Sequence, residues 1–142
     1  MNTFASEIHK IMKGEVLLEE PLSGHTSFKI GGNASLWVEP LDVEDLMSVL
    51  EFLEGEKAPI LVLGNGTNVL VRDCGFGGVL ISMKNFSKLE VRENCIVAGS
   101  GVRLGKVLEK ALEVELRGLE FSAGIPGTVG GAGRTNAGGK SG

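Results

Sequence analysis

With 142 residues, 42% hydrophobic and 23% charged, the chain has the size and balance of one folded domain, and no apolar run approaches the roughly 20 residues that would span a bilayer. Eighteen acidic against fourteen scattered basic residues leave a net charge of −4, which excludes an electrostatic grip on nucleic acid. The start, MNTFASEIHKIMKGE, mixes charges into a helical pattern and lacks the continuous apolar region of a signal peptide, so the expectation is a cytoplasmic chain with no membrane partner.

Phe4, Ile8, Ile11 and Met12 recur at helical spacing up to Gly14, which predicts a short amphipathic helix over 3–13. TSFKIGGNASLWVEP reads as two short extended runs broken by Gly31 and Gly32, the second closed by Pro40, with the single tryptophan, Trp37, as a packing residue. Asp42 is placed to cap the next helix, with Asp45 three positions on; Leu46, Val49, Leu50 and Leu53 form its apolar face and Gly55 its end. APILVLG then reads as a buried strand, and the strand, helix, strand order predicts a parallel pairing covered by the helix. After a polar crook come VLV, GVLIS, and a hairpin of KLEVREN and CIVAGSG turning at Glu93 and Asn94. Leu104, Val107, Leu108, Ala111 and Leu112 restore a helical stripe that ends near Gly118. The last two dozen residues, through LEFSAGIPGTVGGAGRTNAGGKSG, show little periodicity, an unusual end for a compact domain.

Cys74 and Cys95 lack the spacing of a zinc or redox pair and read as small buried hydrophobes in a reducing compartment. His9, among polar helix neighbours, and His25, in a turn before a strand, read as surface or structural residues. No nucleophile stands with a base, so spacing nominates no catalytic group and no metal site.

The unusual number is glycine, 22 of 142 against an average of about 7%. These glycines punctuate strong apolar runs, so they mark turns and close backbone approaches rather than disorder. GNGTN, Gly64 to Asn68, follows a strand; its glycines let backbone N–H groups turn toward an anion while Thr67 and the asparagines add donors. A plain strand-to-strand turn accounts for one Asn-Gly pair but not for five small polar residues together. GSGVRLG has Leu104 where a dinucleotide fingerprint needs glycine and reads as a helix entry. GGKSG has Arg134 where a Walker motif needs its first glycine and has no helix to follow it. In AGIPGTVGGA, Pro126 restricts the chain before Gly127 and Thr128, and Gly130 with Gly131 would let an extended ligand lie on bare backbone. Two such crooks suggest a ligand with a diphosphate and a flat ring system.

At PLSGHTSFKIGGNASLWVEP, ILVLGNGTNVLVRDCGFGGVLI and GLEFSAGIPGTVGGAGRTNAGG, in that order, the chain resembles the UDP-N-acetylenolpyruvoylglucosamine reductase (MurB) family. The three blocks spread over residues 21–139, and family members normally run for roughly as many residues again. The resemblance implies an α+β chain, a vanillyl-alcohol-oxidase or PCMH-type FAD-binding domain over 1–142, of two α+β subdomains at about 1–72 and 73–142, with the substrate-binding domain absent. By this likeness Gly64, Asn65, Gly66, Thr67, Asn68 and Val69 would wrap the FAD diphosphate. Gly124, Ile125, Pro126, Gly127, Thr128, Val129, Gly130 and Gly131, with Asn136, Ala137 and Gly138, would lie along the diphosphate and the isoalloxazine ring. The family's reaction takes hydride from NADPH through FAD to the enolpyruvyl group of a UDP-sugar, for peptidoglycan synthesis.

The family's catalytic arginine, serine acid and glutamate have no counterpart in these residues, so no catalytic residue is assigned, and the chain by itself is expected to be inactive. Gly133 and Thr135 stand where the family commonly has valine and methionine, which removes apolar packing from that loop. Two other functions fit the same residues: the FAD domain of another flavin oxidoreductase of the superfamily, and a non-catalytic nucleotide-binding module.

Overall fold

The computed structural model describes residues 2–138, which form two compact units divided between Asn85 and Phe86. In the first unit, helix α1 (Asn2–Ile11) leads into strand β1 (Glu15–Pro21), then β2 (Asn33–Glu39), helix α2 (Val43–Glu56), β3 (Ile60–Leu63) and β4 (Phe76–Ser82). The sheet order is β1-β2-β4-β3, with β1 antiparallel to β2, and both β2 and β3 parallel to β4. The parallel relation expected across α2 is therefore present, but β4 stands between its two strands. Because β4 belongs to this sheet, the first unit runs past the division expected near residue 72.

Alternation along the strands gives the sheet two apolar faces. Leu36, Val38, Val79 and Ile81 meet Ile8 and Met12 of the α1 segment and Val49 and Leu53 of α2. Phe4 joins Phe52 edge to face at 5.5 Å, tying the two helices together. On the other face Trp37, Leu63, Leu80, Ala34 and Leu22 form a second cluster. Helix α2 starts where Asp42 Oδ1 accepts the Asp45 N–H at 2.9 Å. It runs through Gly55 and ends on Lys57, whose φ of 52° is left-handed, so the helix outlasts the glycine expected to stop it.

Three expected strands change. TSFKI forms a turn, with the Lys29 N–H on the Thr26 carbonyl at 3.1 Å and Phe28 and Ile30 exposed. The place beside β2 is taken by β1, whose glutamates hide its alternation. Val69–Val71 leave the sheet, although Val69 and Val71 pack against the Trp37 cluster. Strand β3 is an edge strand, not a buried one: Leu63 is buried, but Ile60 and Val62 are 41% and 56% exposed.

The second unit holds a hairpin of β5 (Leu89–Arg92) and β6 (Cys95–Ala98), helix α3 (Leu104–Glu113) and a short helix α4 (Val129–Thr135). The hairpin turns at Glu93, at φ 50°, and Asn94. Val107 and Ala111 bury one side of α3, whereas Leu112, expected in the same stripe, is exposed. Helix α4 has no sequence periodicity to announce it, because three of its seven residues are glycine. Cys74 and Cys95 are both free and exposed, which overturns their reading as buried hydrophobes: Cys74 lies in a turn, and Cys95 opens β6 on an exposed position of the hairpin.

Candidate functional site

The Gly64–Asn68 crook lies where β3 ends at the rim of the sheet. Gly64, Asn65 and Asn68 are exposed, Thr67 and Val69 half-buried and Gly66 buried. Gly66 has a φ of 61°, and a Cβ there would overlap the carbonyl oxygen of His25, so both conformation and space demand glycine. Its own carbonyl accepts the Ser27 N–H at 3.0 Å. Among the described residues, the backbone N–H groups of Gly64, Asn65, Gly66, Thr67 and Asn68 find no protein acceptor. Peptide donors in buried residues are almost always paired, so the N–H of the buried Gly66, within a run of five donors that meet no described acceptor, is available to a bound anion. The crook carries no charged side chain to compete for those donors.

The second predicted stretch divides sharply. Thr128 is buried and its Oγ1 caps α4 by accepting the Gly131 N–H at 3.3 Å. The Val129 N–H goes to the Val102 carbonyl at 2.8 Å, the Gly130 N–H to Ser100 at 2.9 Å and the Ala132 N–H to Thr128 at 2.8 Å. The donors at the start of α4 are thus consumed by the protein. Gly130 and Gly131 are helical, not the extended bare backbone expected; Gly130 is needed because a Cβ would stand 2.8 Å from that of Ser100. In this stretch the N–H groups of Gly124, Gly127 and Thr128 find no acceptor among the described residues. Ile125 donates to Ser122 at 3.1 Å, and Pro126 has no donor. Asn136 ends α4 in the left-handed conformation at φ 49°, and Ala137 donates back to Ala132 at 2.9 Å. Gly138 is exposed, and the rest of the Walker-like tail lies outside the described residues.

GSGVRLG is the helix entry expected: Arg103 precedes α3 and the first helical N–H, from Leu104, goes to the Gly127 carbonyl at 3.0 Å. His25 is structural, its Nε2 2.8 Å from Glu20 Oε1 and its ring against Trp37 with centroids 4.0 Å apart. Among the described residues no group of three His, Cys, Asp or Glu side chains could hold a metal, and no helix is long and apolar enough to cross a membrane. Sequence reasoning missed the carbonyls of Ser100 and Val102, which spend the α4 donors, and the turn through His25 and Ser27 that holds the crook. Backbone acceptors leave no mark in residue types.

A family model described as an FAD binding domain matches residues 34–142. The chain belongs to the FAD binding domain family. Its cofactor is FAD. Among curated proteins it is similar to UDP-N-acetylenolpyruvoylglucosamine reductases, at 42% identity over 124 residues to that of Alkaliphilus oremlandii, covering 87% of this chain and 41% of the relative. The Geobacter sulfurreducens relative is 43% identical over 135 residues, 94% of this chain and 45% of its own. The chain therefore spans less than half the length of these relatives. The crystal structure of UDP-N-acetylenolpyruvylglucosamine reductase (MurB) from Thermus caldophilus superposes with a TM-score of 0.71 at 33% identity, over 92% of this chain and 45% of that one. A substrate-bound p-cresol methylhydroxylase, 18% identical, shares the fold with a TM-score of 0.58 over 81% of this chain and 25% of its own. The fold is thus the α+β, PCMH-type fold of an FAD-binding domain, and the likeness read from the three sequence blocks holds.

Proposed function

We infer that the chain is the FAD-binding part of an enzyme that reduces UDP-N-acetylglucosamine enolpyruvate with NADPH, in the cytoplasmic supply of precursors for peptidoglycan. The relatives' shared name supports the substrate, and the family match supports the flavin. The observation that carries the reading is the run of five unspent N–H groups from Gly64 to Asn68. In this assignment those donors and the Thr67 hydroxyl hold the FAD diphosphate, with Val69 anchoring the crook to the Trp37 cluster. The loop from Gly124 to Thr128 offers its three remaining N–H groups to the cofactor, whereas Val129, Gly130 and Gly131 shape α4 without contributing donors. Asn136, Ala137 and Gly138 carry the chain out of that helix.

FAD, when bound, supplies the hydride chemistry. The residues of this chain supply binding and orientation, and none of them is assigned a proton-transfer role, so the chain alone binds flavin without reducing the UDP-sugar. Titration with FAD, FMN and ADP, followed by flavin and tryptophan fluorescence, tests the reading. Saturable binding of FAD in preference to FMN, with displacement by ADP, is the expected result. A folded chain that takes FMN as well as FAD, or that is untouched by ADP, would remove the diphosphate assignment. NADPH oxidation by the same chain with the UDP-sugar present would overturn the claim that it lacks turnover.

A further inference from the structure

We propose that His25, which no family resemblance or sequence motif assigned to the site, is a positioning residue that sets the direction of the donors in the Gly64–Asn68 crook. The proposal rests on the diphosphate reading above and adds the means by which the cradle keeps its shape.

The imidazole is clamped from two sides. Its ring lies on that of Trp37 at 4.0 Å and an interplanar angle of 30°, and its Nε2 is 2.8 Å from Glu20 Oε1. Trp37 is buried in the sheet cluster, and Glu20 stands on β1 opposite Ala34 of β2, so both partners of the ring are fixed by the sheet. Among the described residues Glu20 is the one charged group paired with the ring, and neither Trp37 nor the crook brings a charge to it. This clamp adds a side-chain tie to the sheet for a turn whose other bonds are mostly local, the His25 N–H to Leu22 at 3.0 Å and the Lys29 N–H to Thr26 at 3.1 Å, and whose Phe28 and Ile30 are exposed.

The clamped backbone is also what touches the crook. The His25 carbonyl occupies the space of a Cβ at Gly66, and two residues on, the Ser27 N–H donates to the Gly66 carbonyl at 3.0 Å. In a trans peptide the C=O and the following N–H point in opposite directions. Fixing the Gly66 carbonyl on Ser27 therefore aims the Thr67 N–H away from the turn, where it meets no protein acceptor among the described residues. A glycine-rich loop released from that contact would sample many peptide orientations, and ligand binding would have to restrict them again. A side chain two peptide units away thus governs where a donor points.

The test compares wild type with His25→Ala, His25→Gln and Glu20→Ala, measuring affinity for FAD and for riboflavin, which lacks the diphosphate arm. Tryptophan emission on addition of ADP is read in parallel. The expected result is a drop of about tenfold or more in FAD affinity for His25→Ala, with riboflavin affinity unchanged and partial recovery in His25→Gln, whose amide can still donate to Glu20. ADP, which absorbs no light from tryptophan, should change Trp37 emission in wild type through the ring stack and leave it unchanged in His25→Ala. Should His25→Ala fail to fold, Glu20→Ala removes one half of the clamp at a half-exposed position and must give the same loss of preference for FAD over riboflavin. Variants that keep the wild-type preference overturn the positioning role while leaving the cradle intact. A wild type with no preference for FAD over riboflavin overturns the cradle itself, and the positioning role with it.

Discussion

The Asp45 carboxylate accepts the Gly14 backbone N–H on Oδ2 at 3.0 Å, across 31 positions of chain. The same group takes the Lys13 N–H on both oxygens at 3.1 Å and the Leu41 N–H at 3.1 Å, so one buried acid fastens the end of α1 and the exit of β2 to the start of α2. Asp45→Asn leaves a single acceptor oxygen facing these donors and is expected to destabilise the first unit by roughly 1–3 kcal/mol in urea unfolding. An unchanged midpoint would show that the three donors are satisfied elsewhere.

The same carboxylate makes stability depend on acid. Burial favours its neutral form, but the N–H groups of Leu41, Lys13 and Gly14, with the charge of Lys13, outweigh burial and hold it below the ordinary value of 3.8. The unfolded chain therefore takes up this proton at a higher pH than the folded chain. Its stabilisation is complete above the unfolded value and is lost as pH falls through the depressed folded one. Melting temperatures followed from about pH 6 down to about pH 3 should fall more steeply in wild type than in Asp45→Asn. Parallel curves would rule this group out as a source of acid sensitivity.

Gly66→Ala places a side chain at φ 61° and against the His25 carbonyl. The left-handed conformation alone costs a non-glycine residue about 1–2 kcal/mol, and relief of the overlap must move either the crook or the turn. Lower stability and weakened FAD binding are expected together. Wild-type affinity in this variant would mean that the crook tolerates displacement and that its shape does not matter for the ligand.

Two glycines of α4 should respond in opposite directions. Gly133 faces open space, so Gly133→Ala stabilises the helix by about 0.5–1 kcal/mol through backbone entropy. Gly130 packs on Ser100, and Gly130→Ala pushes the helix from the loop whose carbonyls hold its first N–H groups. Thermal melts of the two variants should move to either side of wild type. A shift of the same sign in both would contradict the packing of α4 described here.

Both thiols should react with a disulfide reagent in the native chain, since Cys74 and Cys95 are exposed and unpaired. Two rapid equivalents without denaturant are expected. Fewer than two would return one of them to the core.

What could be read from the residues alone was the part governed by short-range rules. The apolar spacing of Ile8 and Met12 gave α1, the Asp42 cap gave α2, and Glu93-Asn94 between alternating runs gave the hairpin. The failures share a cause, because non-local partners decided them. TSFKI and VLV have strand-forming residues, but β1 and β4 occupy the sheet positions they would have used. Strand β4 between β2 and β3 is a choice of topology that no local pattern encodes. Glycine content located both crooks, yet whether a given N–H remains available was settled by acceptors elsewhere: none among the described residues for Gly66, Ser100 for Gly130. That difference separates a loop with free donors from a helix start, and both look alike as a string of glycines.

The strand order has a kinetic consequence. β4 enters between two strands that precede it, so β2 and β3 are not joined into one sheet until residues 76–82 have been made. A nascent chain shorter than that can form the β1–β2 ribbon and both helices, but β3 has no neighbour and the loop over 64–75 has no far end. Sheet closure is then a single event that joins Leu36 to Val79 and Leu63 to Ser82, contacts of long sequence separation that form slowly relative to helices. The Gly64–Asn68 crook, which leaves the end of β3, is therefore among the last parts of its unit to acquire shape.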